Sequence, residues 1–212
     1  MQNALNAKVD ADWKAQKRDW STAVVVESAE AINHLGWEWW KLPTPNLAQA
    51  KLEIIDILHF TISGLIETVS DDPLELDSLY EQLDAALSGM EPAQVLELRT
   101  WSTIEVLKEI AMNSVVDNYG FAVYLSVHAA ETLGMSPNEV YDMYVGKNVL
   151  NQFRKANGYK EGTYIKMWFG KEDNEYLTEV MNSYTNEGIT PTPEQLTERL
   201  HETYNTVKVS QH

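Results

Sequence analysis

The sequence predicts an all-α fold, a helical bundle, and three observations predict it. Helix-start signals recur along its 212 residues, each a capping residue followed three positions later by an acid or an amide. Apolar residues return at intervals of three and four through most of the chain. Strand-forming stretches are confined to Val24-Val25-Val26, which sits inside a helical pattern, and to residues 162–169. The intervals between helices are short, which favours antiparallel neighbours. No long linker, repeat or low-complexity segment interrupts the chain, so residues 1–212 are expected to form a single domain.

The first expected helix covers residues 20–35 and the second 46–70, opened by Asn46 with Gln49. Asp72-Pro73 with Glu75 opens a third over 73–88, followed by helices over 92–114 and 117–134. Ser136-Pro137 with Glu139 opens the helix at 137–156. One more spans 172–186, and Thr192-Pro193 with Gln195 opens the last at 193–207. In each proline-marked start the ring occupies the first helical position, where its missing N–H costs nothing.

Thirty-two acids against sixteen bases give a net charge of −16. A chain this acidic repels nucleic acid and anionic membranes, so neither is expected as a partner. The absence of cysteine excludes disulfides, thiolate nucleophiles, Cys-based zinc sites and iron–sulfur clusters. No apolar run approaches a bilayer span and the N-terminus lacks a signal pattern, which gives a cytoplasmic protein as the expectation. Against this background, residues 147–171 hold six bases (Lys147, Arg154, Lys155, Lys160, Lys166, Lys171) and one acid, Glu161, and so carry +5. Gly146, Gly158, Gly162 and Gly170 lie in or beside it. A solvated basic loop has this composition; so does a site for a small anion, where glycine admits backbone N–H groups and cations meet phosphate oxygens.

Two apolar helices carry carboxylates. In 22–35, Val24, Val25, Val26, Ala29, Ala31, Ile32 and Leu35 surround a narrow stripe of Glu27, Glu30 and His34. In 47–66, Leu52, Ile54, Ile55, Ile57, Leu58 and Ile62 surround Gln49, Glu53, Asp56 and Phe60, with His59 beside them. A helix apolar over most of its circumference is buried, so four carboxylates are expected to be carried inward. An acidic pair at this spacing ordinarily faces water; the apolar flanks on both sides weaken that reading. Lys51, Arg99 and Lys108 are the only basic residues between 42 and 146, so protonation or a cation must neutralise the cluster. Hard oxygen ligands point to Mg²⁺ or Mn²⁺, and an acidic metal cluster with a separate Lys/Arg/Gly segment describes a site for a nucleotide polyphosphate.

Glu27-x-x-Glu30, Trp37-Glu38-Trp39-Trp40-Lys41 and Glu53-x-x-Asp56-x-x-His59-Phe60 resemble the dimeric, all-α dUTP pyrophosphatases, relatives of the MazG-like NTP pyrophosphatases. So do residues 147–154, 157–166 and Glu172-Asp173-Asn174, and the opening Gln2 to Trp13 with Leu5-Asn6. The matching blocks are 2–60 and 117–174; residues 65–116 are scaffold or dimer interface, and the tail from Thr190 carries no signal. The acidic pairs are shared with all MazG relatives, whereas the tryptophan segment and the long later motif are specific to dUTPases.

The resemblance implies a homodimer that cleaves dUTP, and also dUDP, to dUMP with release of pyrophosphate or phosphate. Such an enzyme keeps uracil out of DNA and supplies dUMP. It implies Glu27, Glu30, Glu53 and Asp56 as Mg²⁺ ligands, with Glu27 orienting or deprotonating the attacking water. It places Lys147, Arg154, Lys160, Lys166 and Asn174 on phosphates, Tyr159 on sugar or phosphate, and Asn6, Trp39, His59 and Asn151 around base and deoxyribose. Of Trp37, Trp39 and Trp40, at least one is expected in the core.

Three alternatives stay open. One is an all-α nucleotide pyrophosphatase preferring dCTP or several NTPs, since base choice rests on a few pocket contacts. Another is a di-iron carboxylate protein, for which Asp56-x-x-His59 imitates half the ligand set; the second Glu-x-x-His is missing, because His128 precedes Glu131. The third is a non-catalytic helical nucleotide-binding or scaffold protein.

Overall fold

The computed structural model describes residues 1–68, 97 and 100–210, and they form two compact units, 1–140 and 141–212. The fold is all-α apart from one two-residue hairpin among the described residues.

In the first unit α1 (Gln2–Val9) leads through a 3₁₀ turn (Trp13–Gln16) to α2 (Trp20–His34), α3 (Leu47–Thr68), α4 (Thr103–Val115) and α5 (Tyr119–Thr132). Asp19 caps α2 by accepting from the Thr22 N–H at 2.9 Å, and these bonds hold its carboxyl below the usual range. Asn46 caps α3 through the Gln49 N–H at 3.2 Å. Helix α3 packs on α1, α2 and α5, and α4 on α2 and α5. Ile54, Ile55 and Ile57 of α3, Val24 and Ala31 of α2, Leu107 and Ile110 of α4, and Leu125 and Ala129 of α5 are buried. Gly64 lets α3 and α5 approach closely: a Cβ there would lie 2.5 Å from the Tyr119 ring. Tyr119, Trp13, Trp20 and Leu65 form a second apolar cluster.

Two expectations change, and one lies outside the described residues. The helix expected over 92–114 starts at Thr103, because Ser102 and Glu105 close a reciprocal capping box. The helix expected at 73–88, and the stretch of the next before residue 97, fall outside the described residues. Helix α2 is not buried all round: Trp20, Val24, Ser28 and Ala31 face inward, whereas Val25, Val26 and Ala29 are exposed. Apolar composition marked both of its faces; packing uses one. The short N-terminal helix α1 has eight residues and no side-chain cap, so its sequence carries no start signal.

In the second unit, α6 (Pro137–Ala156, its first turn still in the first unit) is followed by a loop, the hairpin β1 (Met167–Trp168) and β2 (Lys171–Glu172), α7 (Asp173–Asn186) and α8 (Pro193–Ser210). The expected β-rich stretch 162–169 yields only Met167–Trp168. The antiparallel partner follows at once through Phe169 and Gly170, both with positive φ as a two-residue hairpin turn requires. The expected caps form at Ser136 with Glu139 and at Thr192 with Gln195. Val149, Leu150 and Phe153 of α6 meet Trp168, Leu177, Met181, Leu200 and Tyr204 in one core. The Trp168 indole N–H donates to Ile165 O at 2.8 Å and the Ile165 N–H to Tyr204 Oη at 3.0 Å, which pins the loop to that core.

Candidate active site

The carboxylates of Glu27 and Glu30 on α2 and Glu53 on α3 converge: each offers an oxygen within 4.8 Å of the others. Their i,i+3 spacing on α2 and the packing of α2 on α3 produce this approach. Glu53 is buried, Glu27 partly so and Glu30 exposed, so three of the four expected acids are not deep in the interior. Asp56, one turn on from Glu53, lies outside that trio but near enough to act on it. Burial, then the charges of Asp56 and Glu53, a hydrogen bond to Glu53 and the charge of Glu30 push the Glu27 carboxyl up to about 8. Without a cation the cluster therefore favours holding a proton. His34 Nε2 stands 3.6 Å from Glu53 Oε1. All-oxygen donors that hold a proton so far above its usual range fit a hard divalent ion, and Glu27, Glu30 and Glu53 can hold a metal.

Beside α3, α1 supplies a buried polar network. Gln2 Nε2 donates to Asn6 Oδ1 and to Ser63 Oγ, both at 3.0 Å; Asn6 Nδ2 donates to Ser63 Oγ at 3.0 Å, and Ser63 Oγ to His59 O at 2.7 Å. Gln2 Oε1 faces His59 Nδ1 at 2.7 Å, and since an amide oxygen only accepts, His59 carries its proton on Nδ1. The network joins two residues expected around the base, Asn6 and His59, through two the sequence did not single out, Gln2 and Ser63. The spacings Gln2-x-x-x-Asn6 and His59-x-x-x-Ser63 were the available signal.

Trp39 lies in the α2–α3 loop, 85% exposed. Trp37 and Trp40 are exposed too, against the expectation that at least one of the three enters the core. The loop carries them outside both helices, and the rings meet one another edge to face at 5.0 and 5.4 Å.

The second unit gathers most of the expected phosphate ligands into one network. Lys147, 1% exposed, donates to Asn174 Oδ1 at 2.9 Å, and Arg154 Nη2 donates to the same oxygen at 2.8 Å. Arg154 also grips Asp173 with Nε and Nη2 at 2.8 and 2.7 Å and reaches Asn151 Oδ1 from Nη1 at 3.3 Å. Its guanidinium carbon lies 5.7 Å from the centre of the half-exposed Tyr159 ring. Lys160 and Lys166 are exposed; Lys166 pairs with Glu172 at 2.9 Å, which outweighs its partial desolvation and leaves its pKa raised. Asp173, wholly buried, and Tyr164, whose hydroxyl donates to it at 2.7 Å, are members that sequence reasoning did not assign, although Glu172-Asp173-Asn174 stood out as a motif.

The described residues form an all-α protein whose converging carboxylates could hold a metal. The sequence model of one family, dUTPase, matches residues 1–159, three quarters of the chain. The chain belongs to the dUTPase family and is an enzyme of dUTP hydrolysis. A comparison with curated proteins found no match. No described helix is long and apolar enough to cross a membrane.

Proposed function

We propose that the chain is a Mg²⁺-dependent, homodimeric dUTP pyrophosphohydrolase that acts as a single catalytic domain, releases dUMP and pyrophosphate, and accepts dUDP with release of phosphate. The observation that carries the metal dependence is the convergence of Glu27, Glu30 and Glu53, with Glu27 raised to about 8 by burial and by the surrounding carboxylates. Glu27, Glu30, Glu53 and Asp56 hold the metal; Mn²⁺ satisfies the same donors. A bound divalent ion neutralises phosphate charge and lowers the pKa of a coordinated water. Glu27 is the group that orients the attacking water or takes its proton.

Recognition of the base falls to Asn6, Trp39 and His59. Each atom of the Asn6 amide keeps a second hydrogen-bonding valence beyond its bonds to Gln2 and Ser63, one donor and one acceptor, which complements the edge of uracil. The exposed indole of Trp39 offers a face for stacking. Asn151 contacts the deoxyribose. Lys147, Arg154, Lys160, Lys166 and Asn174 contact phosphates, and Tyr159 sugar or phosphate. The proposed place of work is the cytoplasm of a bacterial cell or phage-infected host, where the reaction keeps uracil out of DNA.

The test is release of pyrophosphate or phosphate from dUTP, dUDP, dCTP, dTTP and UTP, each with Mg²⁺ and with EDTA. Mg²⁺-dependent release confined to dUTP and dUDP is expected. Release from several nucleotides overturns the base assignment, and equal rates in EDTA overturn the metal.

A further inference from the structure

We propose that Asp173 is a positioning residue of the active site: its buried carboxylate fixes the Arg154 guanidinium and, through it, Asn174, Lys147 and Asn151. The inference rests on the reading of those four as substrate contacts. Asp173 lies beyond the residues that the family model matches.

The carboxylate is 0% exposed, and three donors reach it. Oδ1 accepts from Arg154 Nη2 at 2.7 Å; Oδ2 accepts from Arg154 Nε at 2.8 Å and from the Tyr164 hydroxyl at 2.7 Å. Burial and the neighbouring carboxylate push the Tyr164 hydroxyl far above its ordinary range, so it stays a donor. The Asp173 N–H donates to Lys166 O at 3.0 Å, so the same residue ties down the basic loop. Asp173 thereby joins α6, the loop and the start of α7.

Two parallel bonds fix both the place and the plane of a guanidinium, which a single contact does not. With Nε and Nη2 held, Nη2 is aimed at Asn174 Oδ1, where it meets Lys147 Nζ, and Nη1 is turned toward Asn151. A buried ion pair contributes little to stability beyond what an apolar pair of the same volume supplies. What this one provides is geometry, and geometry at phosphate ligands governs turnover.

Asp173→Asn separates the roles, because it keeps the shape and removes the charge. The variants D173N, R154A and D173N/R154A are compared with the wild type by dUTP kinetics and by calorimetric binding of inorganic pyrophosphate with Mg²⁺. If Asp173 positions Arg154, D173N lowers kcat/KM by about 30- to 100-fold, a loss of the size that misplacement produces. It also weakens pyrophosphate, even though removing the carboxylate makes the surroundings more positive. In the R154A background the D173N effect shrinks to a few-fold, the non-additivity expected of residues that act through one another.

Tighter pyrophosphate binding by D173N overturns the proposal, since charge alone predicts that sign; additive losses overturn it too. Should D173N fail to fold, Y164F removes one of the three bonds to the carboxylate. A several-fold loss in kcat/KM with the fold retained by circular dichroism is then expected, and no loss overturns the proposal. Absence of dUTP turnover by the wild type overturns the functional reading instead, and the pyrophosphate cycle still decides the role of Asp173.

Discussion

Glu53→Gln tests the metal cluster through stability as well as rate. Glu27 is raised from 4.5 to about 8, so in the window between those values the folded chain binds a proton that the unfolded chain has released. The contribution is fully present below pH 4.5 and is lost as pH rises through about 8. The full displacement corresponds to about 5 kcal/mol, and solvent on the open side of the site reduces it to about 2 kcal/mol. Glu53 supplies part of the cause, a charge and a hydrogen bond, while burial and Asp56 remain. Removing its charge therefore returns about 0.5–1 kcal/mol, or about 1–4 °C for a chain of this length.

The assay is thermal melting in EDTA near pH 6 and pH 9, repeated with Mg²⁺. Wild type should melt lower at the higher pH, and Mg²⁺ at one hundred times its dissociation constant should restore about 2.7 kcal/mol. E53Q should melt above wild type near pH 9 in EDTA, gain little from Mg²⁺ and hydrolyse no dUTP. A folded E53Q whose Mg²⁺ shift equals that of the wild type refutes the cluster as the metal site.

Three further outcomes are expected. Trp39→Ala should weaken dUTP binding more than pyrophosphate binding in calorimetry, at a melting temperature unchanged because the side chain is exposed; equal loss of both makes Trp39 structural. Gly64→Ala places a methyl 2.5 Å from the Tyr119 ring and should destabilise by about 1–3 kcal/mol in urea titration, by forcing α3 from α5. Ser102→Ala opens the capping box of α4 and should cost about 0.5–2 kcal/mol in the same titration, with little effect on kcat.

What was legible in the sequence is what local chemistry determines. Residues 137–156 stand as a helix over that very span because Ser136, Pro137 and Glu139 are a complete start signal and Gly158 supplies the positive φ after its end. The carboxylates were legible because i,i+3 acids on an apolar background have few uses. Less legible was anything set by which face meets which neighbour. Val24, Val25 and Val26 are alike in composition, yet one is buried and two are exposed, and only the packing of α2 on α3 and α4 tells them apart. The bonds between Gln2 and Ser63 and His59 cross about sixty residues of chain; the i,i+4 spacings place each pair on one helix face but do not say that the two faces meet.

The basic segment shows the same limit in its charge. Counted from 147 to 171 it carries +5, but the count stops one residue short of Glu172. In the folded unit Arg154 is bound to Asp173, Lys166 to Glu172 and Lys171 to Glu179, so three of the six cations are paired with acids just past the boundary. Counted on to Glu179 the stretch carries only +1. A segment with that balance does not draw anions from a distance as a bare run of lysine would, because each pair cancels beyond about a Debye length. The proposed hold on phosphate then rests on close-range donors, of which those at the Lys147–Asn174–Arg154 junction are the most buried. Pyrophosphate affinity should accordingly fall with salt far less steeply than six free cations imply, and a steep fall, read by calorimetry across a salt series, would mean that these pairs open when the anion arrives.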